Sequence, residues 1–128
     1  MNEKVILINQ LKENTKMLIE ATEYLMDTFI KVKASGKGED FYEVVVPFAN
    51  KVKKINEDWK VSAINWVVAN KPEYLYAAQI QSASDHLEII SVSAFYPDTS
   101  KKRFMDAIKS VQYTLEVLLN QLSSIEKK

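Results

Sequence analysis

Apolar side chains recur along this chain in alternating steps of three and four, the interval that holds them on one face of an α-helix. In the first stretch, from about Asn2 to Lys33, that face is Ile8, Leu11, Thr15, Leu18, Thr22, Leu25, Phe29 and Val32. A second stretch opens at Asp40, with Glu43 three places on. An acceptor followed at that distance by Glu resembles a capping box. Its face runs through Phe48, Val52, Ile55, Trp59, Ser62, Trp66 and Ala69. Pro47 lies inside this stretch and predicts a kink, because proline lacks the amide donor and crowds the preceding turn. The third stretch, from about Glu73 to Tyr96, carries Tyr76, Ile80, Ala83, Leu87, Ile90 and Ala94. The fourth starts near Ser100, with Ser100 or Asp98 as its cap. It has the cleanest stripe: Phe104, Ile108, Val111, Leu115, Leu118, Leu122 and Ile125.

Between these stretches lie the chain breakers. Gly36 and Gly38 fall in the first gap, Pro72 in the second and Pro97 in the third. Strand-like alternation is confined to "EVVVPF", too short to seed a sheet. Four amphipathic helices on short loops predict an all-α fold, an antiparallel up-down-up-down four-helix bundle forming one domain over residues 1–128. The 128 residues suffice for a self-supporting core, since a chain of this size buries roughly two-thirds of its unfolded surface.

Composition narrows the function. The 17 basic and 17 acidic side chains cancel, which argues against a general nucleic-acid binder. The absence of cysteine removes disulfides, thiolate metal sites and cysteine nucleophiles. The longest early apolar run, Val5 to Ile8, is too short for a signal-peptide core, and no run approaches a membrane span. The expectation is a cytoplasmic protein with no membrane segment.

Three segments carry a family resemblance: "DFYEVVVPFANKV", "DWKVSAINWVVANKPEYLYAAQI" and "KKRFMDAIKSVQYTL". Together they resemble the YppE-like family, small all-helical bacterial proteins of unknown function. The likeness covers residues 40–120 or so and implies a four-helix bundle from a Gram-positive bacterium. It implies no activity, because the family has none assigned.

Tests for chemistry come out negative. Di-metal bundles need two Glu-x-x-His pairs, but His86 is the sole histidine and Ala83 stands three places before it. Glu20, Glu23 and Asp27 flank the first stripe without interrupting it, as a solvated face does. Ser84, Asp85 and His86 are consecutive, and successive helical side chains diverge by about 100°, so they cannot converge as a nucleophile and its base. His86 borders the stripe and reads as a locally hydrogen-bonded boundary residue. No phosphate-binding, dinucleotide or Ca²⁺ loop occurs. The Arg-x-x-x-x-His motif of small helical nucleases is missing, since Ile108 stands five places after Arg103. No catalytic residue, metal ligand or cofactor is expected. Trp59 and Trp66, one heptad apart, read as core. Tyr42, Tyr74, Tyr76 and Tyr96 fall near helix ends, where amphipathic rings seal a bundle or mark a contact surface.

The unexpected feature is the start of the fourth helix. Lys101, Lys102 and Arg103 occupy a terminus whose dipole favours negative charge. Residues 71–100 sum to −3 and residues 101–128 to +3, so the third and fourth helices read as complementary neighbours. In the predicted topology the same end receives Lys31, Lys33 and Lys37, diluted by Glu39, Asp40 and Asp98. This basic pole is the candidate contact site: Lys31, Lys33, Lys101, Lys102 and Arg103. The leading expectation is a non-enzymatic interaction or adaptor module with a protein partner. Alternatives are a nucleic-acid-associated protein and an accessory subunit of an enzyme.

Overall fold

The four apolar stripes turn toward one another and bury a shared core. The computed structural model describes residues 2–126, with the side chains of 125 and 126 left out. It contains α1 (Glu3–Ser35), a π-helical turn (Phe41–Val45), α2 (Val46–Asn70), α3 (Ala77–Ser93) and α4 (Lys101–Glu126). No strand occurs among the described residues.

Contacts across the seams run in opposite directions on neighbouring helices. Along α1 and α2, Thr15 meets Trp59 and Tyr24 meets Phe48. Along α1 and α4, Thr22 meets Gln112 and Phe29 meets Phe104. Asn56 of α2 reaches Ser84 of α3, and α3 packs on α4. Each helix therefore touches its two neighbours in the cycle α1–α2–α3–α4. The bundle is antiparallel, as the short loops predict.

Burial follows the sequence stripes closely in α1 and α4. In α1 every predicted position from Leu11 to Val32 is buried. In α4 the six positions from Phe104 to Leu122 are buried; the seventh, Ile125, lies outside the described side chains. Both tryptophans are core. Trp59 is wholly enclosed, and its indole N–H donates to Thr15 Oγ1 at 3.1 Å, so the buried polar group is satisfied.

The caps also agree with their residue types. Asn2 accepts from the Val5 N–H at 2.9 Å and Asp40 from the Glu43 N–H at 2.7 Å. Ser100 accepts from the Arg103 N–H at 3.3 Å. Gly36 ends α1 in the left-handed region at φ 71°, donating to Val32 O, where a glycine avoids the Cβ penalty.

The irregularity expected at Pro47 takes the form of a widened turn. The Val45 N–H reaches back to Asp40 O at 3.1 Å, and Val46 to Phe41 O. Pro47 then stands in the first turn of α2, directly after this widened turn, which accommodates a residue without an amide donor. The strand-like "EVVVPF" is thus absorbed into helix.

One boundary needs correction. The third helix is shorter than the expected Glu73–Tyr96, running only Ala77–Ser93. Lys71 ends α2 in the left-handed region at φ 47°, immediately before Pro72, and Tyr74 is left-handed as well, at φ 64°. Two such residues cannot propagate a right-handed helix. At the far end, Phe95 and Tyr96 bond to carbonyls only three residues back, and Pro97 stops continuation.

Candidate functional site

The end of the bundle that collects the C-termini of α1 and α3 and the N-termini of α2 and α4 holds all five predicted contact cations. They do not form one patch. Lys31 and Lys33 are two residues apart, so their side chains leave α1 about 200° apart. The same holds for Lys101 and Arg103 on α4.

The structure brings two of the five together. Lys33 of α1 and Lys101 of α4 line a groove between these helices with Phe29, Ile30, Ala34 and Met105. Arg103 instead lines a separate groove between α3 and α4, with His86, Ile89, Asp106, Ala107 and Ser110. Lys102 shares the solvent-facing side of α4 with exposed Asp106, Lys109 and Tyr113. Lys31 shares a side of α1 with Tyr24, seven residues earlier, which packs against Phe48 of α2.

The Lys33–Lys101 groove has a firm floor. Phe29 and Phe104 stack with ring centroids 4.1 Å apart and an interplanar angle of 15°. Lys33 Nζ lies 5.8 Å from the centre of the Phe29 ring, within cation–π range. Ile30 is 57% exposed on one wall, and Met105 is half-buried on the other. Ile30 and Met105 escaped the sequence reading because both lie beside their helix stripe. The available signal was adjacency: each directly follows a stripe phenylalanine, Phe29 or Phe104.

The acids that dilute this pole form no ion pairs with its cations among the described residues. An ion pair joins Lys16 and Glu13 at 3.6 Å, on the outer face of α1, away from this end. Among the described residues none of the five cations lies within ion-pair distance of a carboxylate, and no ion pair joins α3 to α4 despite their opposite charge sums. Asp40, one of the diluting acids, spends an oxygen on its cap.

The remaining candidates fall into place individually. His86 Nδ1 lies 3.4 Å from Ser82 Oγ, one turn back on its own helix, consistent with a boundary role. The tyrosines divide between the ends: Tyr42 and Tyr96 belong to the basic end, Tyr74 and Tyr76 to the opposite one. Among the described residues no group of three or more His, Asp or Glu is placed to hold a metal ion. No described helix is long and apolar enough to cross a membrane.

Comparison with known proteins places this geometry in company. Residues 15–122 match the family model described as "Bacterial domain of unknown function (DUF1798)". The chain is 26% identical over 118 residues to the uncharacterized protein YppE of Bacillus subtilis, covering 92% of this chain and 96% of that one. A protein of unknown function from Listeria innocua has the same fold, with a TM-score of 0.90 and 28% identity over 96% of this chain and 98% of its own. The crystal structure of YppE superposes with a TM-score of 0.87 and full coverage of both chains at 24% identity.

Proposed function

The chain belongs to the DUF1798 family of bacterial domains of unknown function, and from that premise we propose that it is a non-enzymatic interaction module of the cytoplasm. Its contact surface is the basic end of the bundle. One observation carries this reading: Lys33 and Lys101 wall an apolar groove with no carboxylate of the described residues paired to either. A purely structural helix start would gather its own acids, since each cation in the first turn works against the helix dipole by about 0.3–1 kcal/mol. Leaving that charge open favours an external anion.

Affinity purification from the native host at low salt tests the proposal, comparing the natural chain with a Lys101→Gln, Lys102→Gln, Arg103→Gln variant. Recovery of a co-purifying protein should fall severalfold in the variant. Unchanged recovery with unchanged salt dependence removes the reading. Recovery of nucleic acid with a steep salt dependence would transfer the site to the nucleic-acid class.

A further inference from the structure

Two exposed features compete with the α1–α4 groove, and neither specifies an occupant. The opposite end exposes Val5, Ile6, Leu7, Val68, Tyr74 and Tyr76, an apolar set with no charge pattern to say what covers it. The α3–α4 groove holds Arg103 but also Asp106, so it carries its own counter-charge.

The α1–α4 groove differs in being apolar in its floor and charged with one sign only in its walls. We infer that it receives a short acidic amphipathic helix of a partner protein, lying along the α1–α4 seam. Apolar side chains of that helix cover Ile30 and Met105, and carboxylates meet Lys33 and Lys101. The inference deepens the interaction reading above and rests on it.

Three features select this occupant. First, charge: the two cations line the groove without any acidic side chain among its walls, so an anionic ligand is complementary. Second, spacing: Ile30, Lys33 and Ala34 step by three and one on α1, and Lys101 and Met105 by four on α4. These are the ridge intervals into which a third helix packs, and the helix-in-groove mode reads anchors at the same intervals. β-Strand addition would need a free sheet edge, and the described residues contain no strand. Third, adaptability: Met105 is a flexible thioether wall suited to a side chain of variable shape, set above the rigid Phe29–Phe104 stack. A nucleic-acid backbone is disfavoured because it needs a continuous basic track, whereas Lys31, Lys102 and Arg103 leave the bundle in other directions.

The test uses the full-length ¹⁵N-labelled protein and three probes. One is a synthetic helical peptide with leucines on one face and glutamates flanking them. The second is its twin with every glutamate replaced by lysine. The third is a short single-stranded DNA. The acidic peptide should shift the amide signals of Ile30, Lys33, Lys101 and Met105. It should bind roughly tenfold more tightly than the lysine twin, the gain expected of two partly exposed charge pairs. A Lys33→Glu, Lys101→Glu variant should reverse that preference, and Ile30→Asp, at an exposed position, should abolish the shifts without unfolding the chain. Failure of the acidic peptide to saturate, shifts mapping elsewhere, equal affinity for the twin, or preferential binding of the DNA each overturns the inference. The purification above separates the two levels. If the Lys101, Lys102, Arg103 variant loses its protein partner while Ile30→Asp keeps it, the interaction reading stands and the groove assignment falls. If neither variant changes recovery, both fall.

Discussion

At the basic end of the bundle two connections touch each other, while at the opposite end a single turn closes α2 onto α3. The 36–45 and 94–100 connections meet where the Glu39 N–H reaches Phe95 O at 3.4 Å. Phe95 is fully buried beneath them. Its ring lies 5.7 Å from that of Phe48 and 6.5 Å from that of Tyr24, and those two are 4.9 Å apart. Among the described residues the 71–76 turn has no such brace. It folds through two left-handed non-glycine residues and tucks in one plug, Leu75, leaving Tyr74 and Tyr76 outside. The difference teaches where fixed geometry is available. Cations are displayed on the braced end, and loose apolar surface collects on the unbraced one.

The largest effect should come from removing the brace. Phe95→Ala should lower stability by about 3–5 kcal/mol, measured as a shift in the urea unfolding midpoint. It should also speed amide exchange through the 36–45 connection. Leu75→Ala should cost about 2–5 kcal/mol with no such spread, because among the described residues its turn bonds to no second loop. Equal spread from both variants would erase the distinction between the ends.

A smaller effect isolates the loop-to-loop approach. A Cβ added at Gly38 would lie 2.9 Å from Phe95 O, so Gly38→Ala should destabilise by about 1–3 kcal/mol, as overpacking does. Thermal unfolding reads this directly, and an unchanged melting temperature would mean the two connections merely pass near each other.

The smallest effect has the opposite sign and belongs to the other end. Tyr74 holds φ 64° with its ring in solvent. Tyr74→Gly should relieve left-handed strain and raise stability by about 0.5–1 kcal/mol, the αL penalty less the added entropy of glycine. A loss of stability instead would show that the exposed ring contributes to the turn.

Most of the architecture was legible because apolar spacing reports directly on burial. It was least legible in α2, where Asn56 and Ala63 are buried while the expected Ile55 and Ser62 are only partly so. Asn56 earns its place through a hydrogen bond from Nδ2 to Ser84 O at 3.0 Å, and hydrophobicity carries no trace of such a bond. The third helix was read too long because an apolar pattern continues through Tyr76 and Leu75 although the backbone there is not helical. At the candidate site the sequence identified the charges and the end on which they gather. It treated Lys101, Lys102 and Arg103 as one cluster, yet at 100° per residue they face three directions. The groove itself depends on how α1 and α4 meet, which only tertiary packing decides.

The enclosure of Trp59 has a practical consequence. Its indole is bonded to Thr15, fifteen residues before Ile30 on α1, or roughly 20 Å along the axis. Intrinsic fluorescence at this ring therefore reports whether the chain is folded while staying blind to occupancy of the distant groove. A variant that loses its partner with an unaltered emission spectrum has lost a contact surface and not its fold.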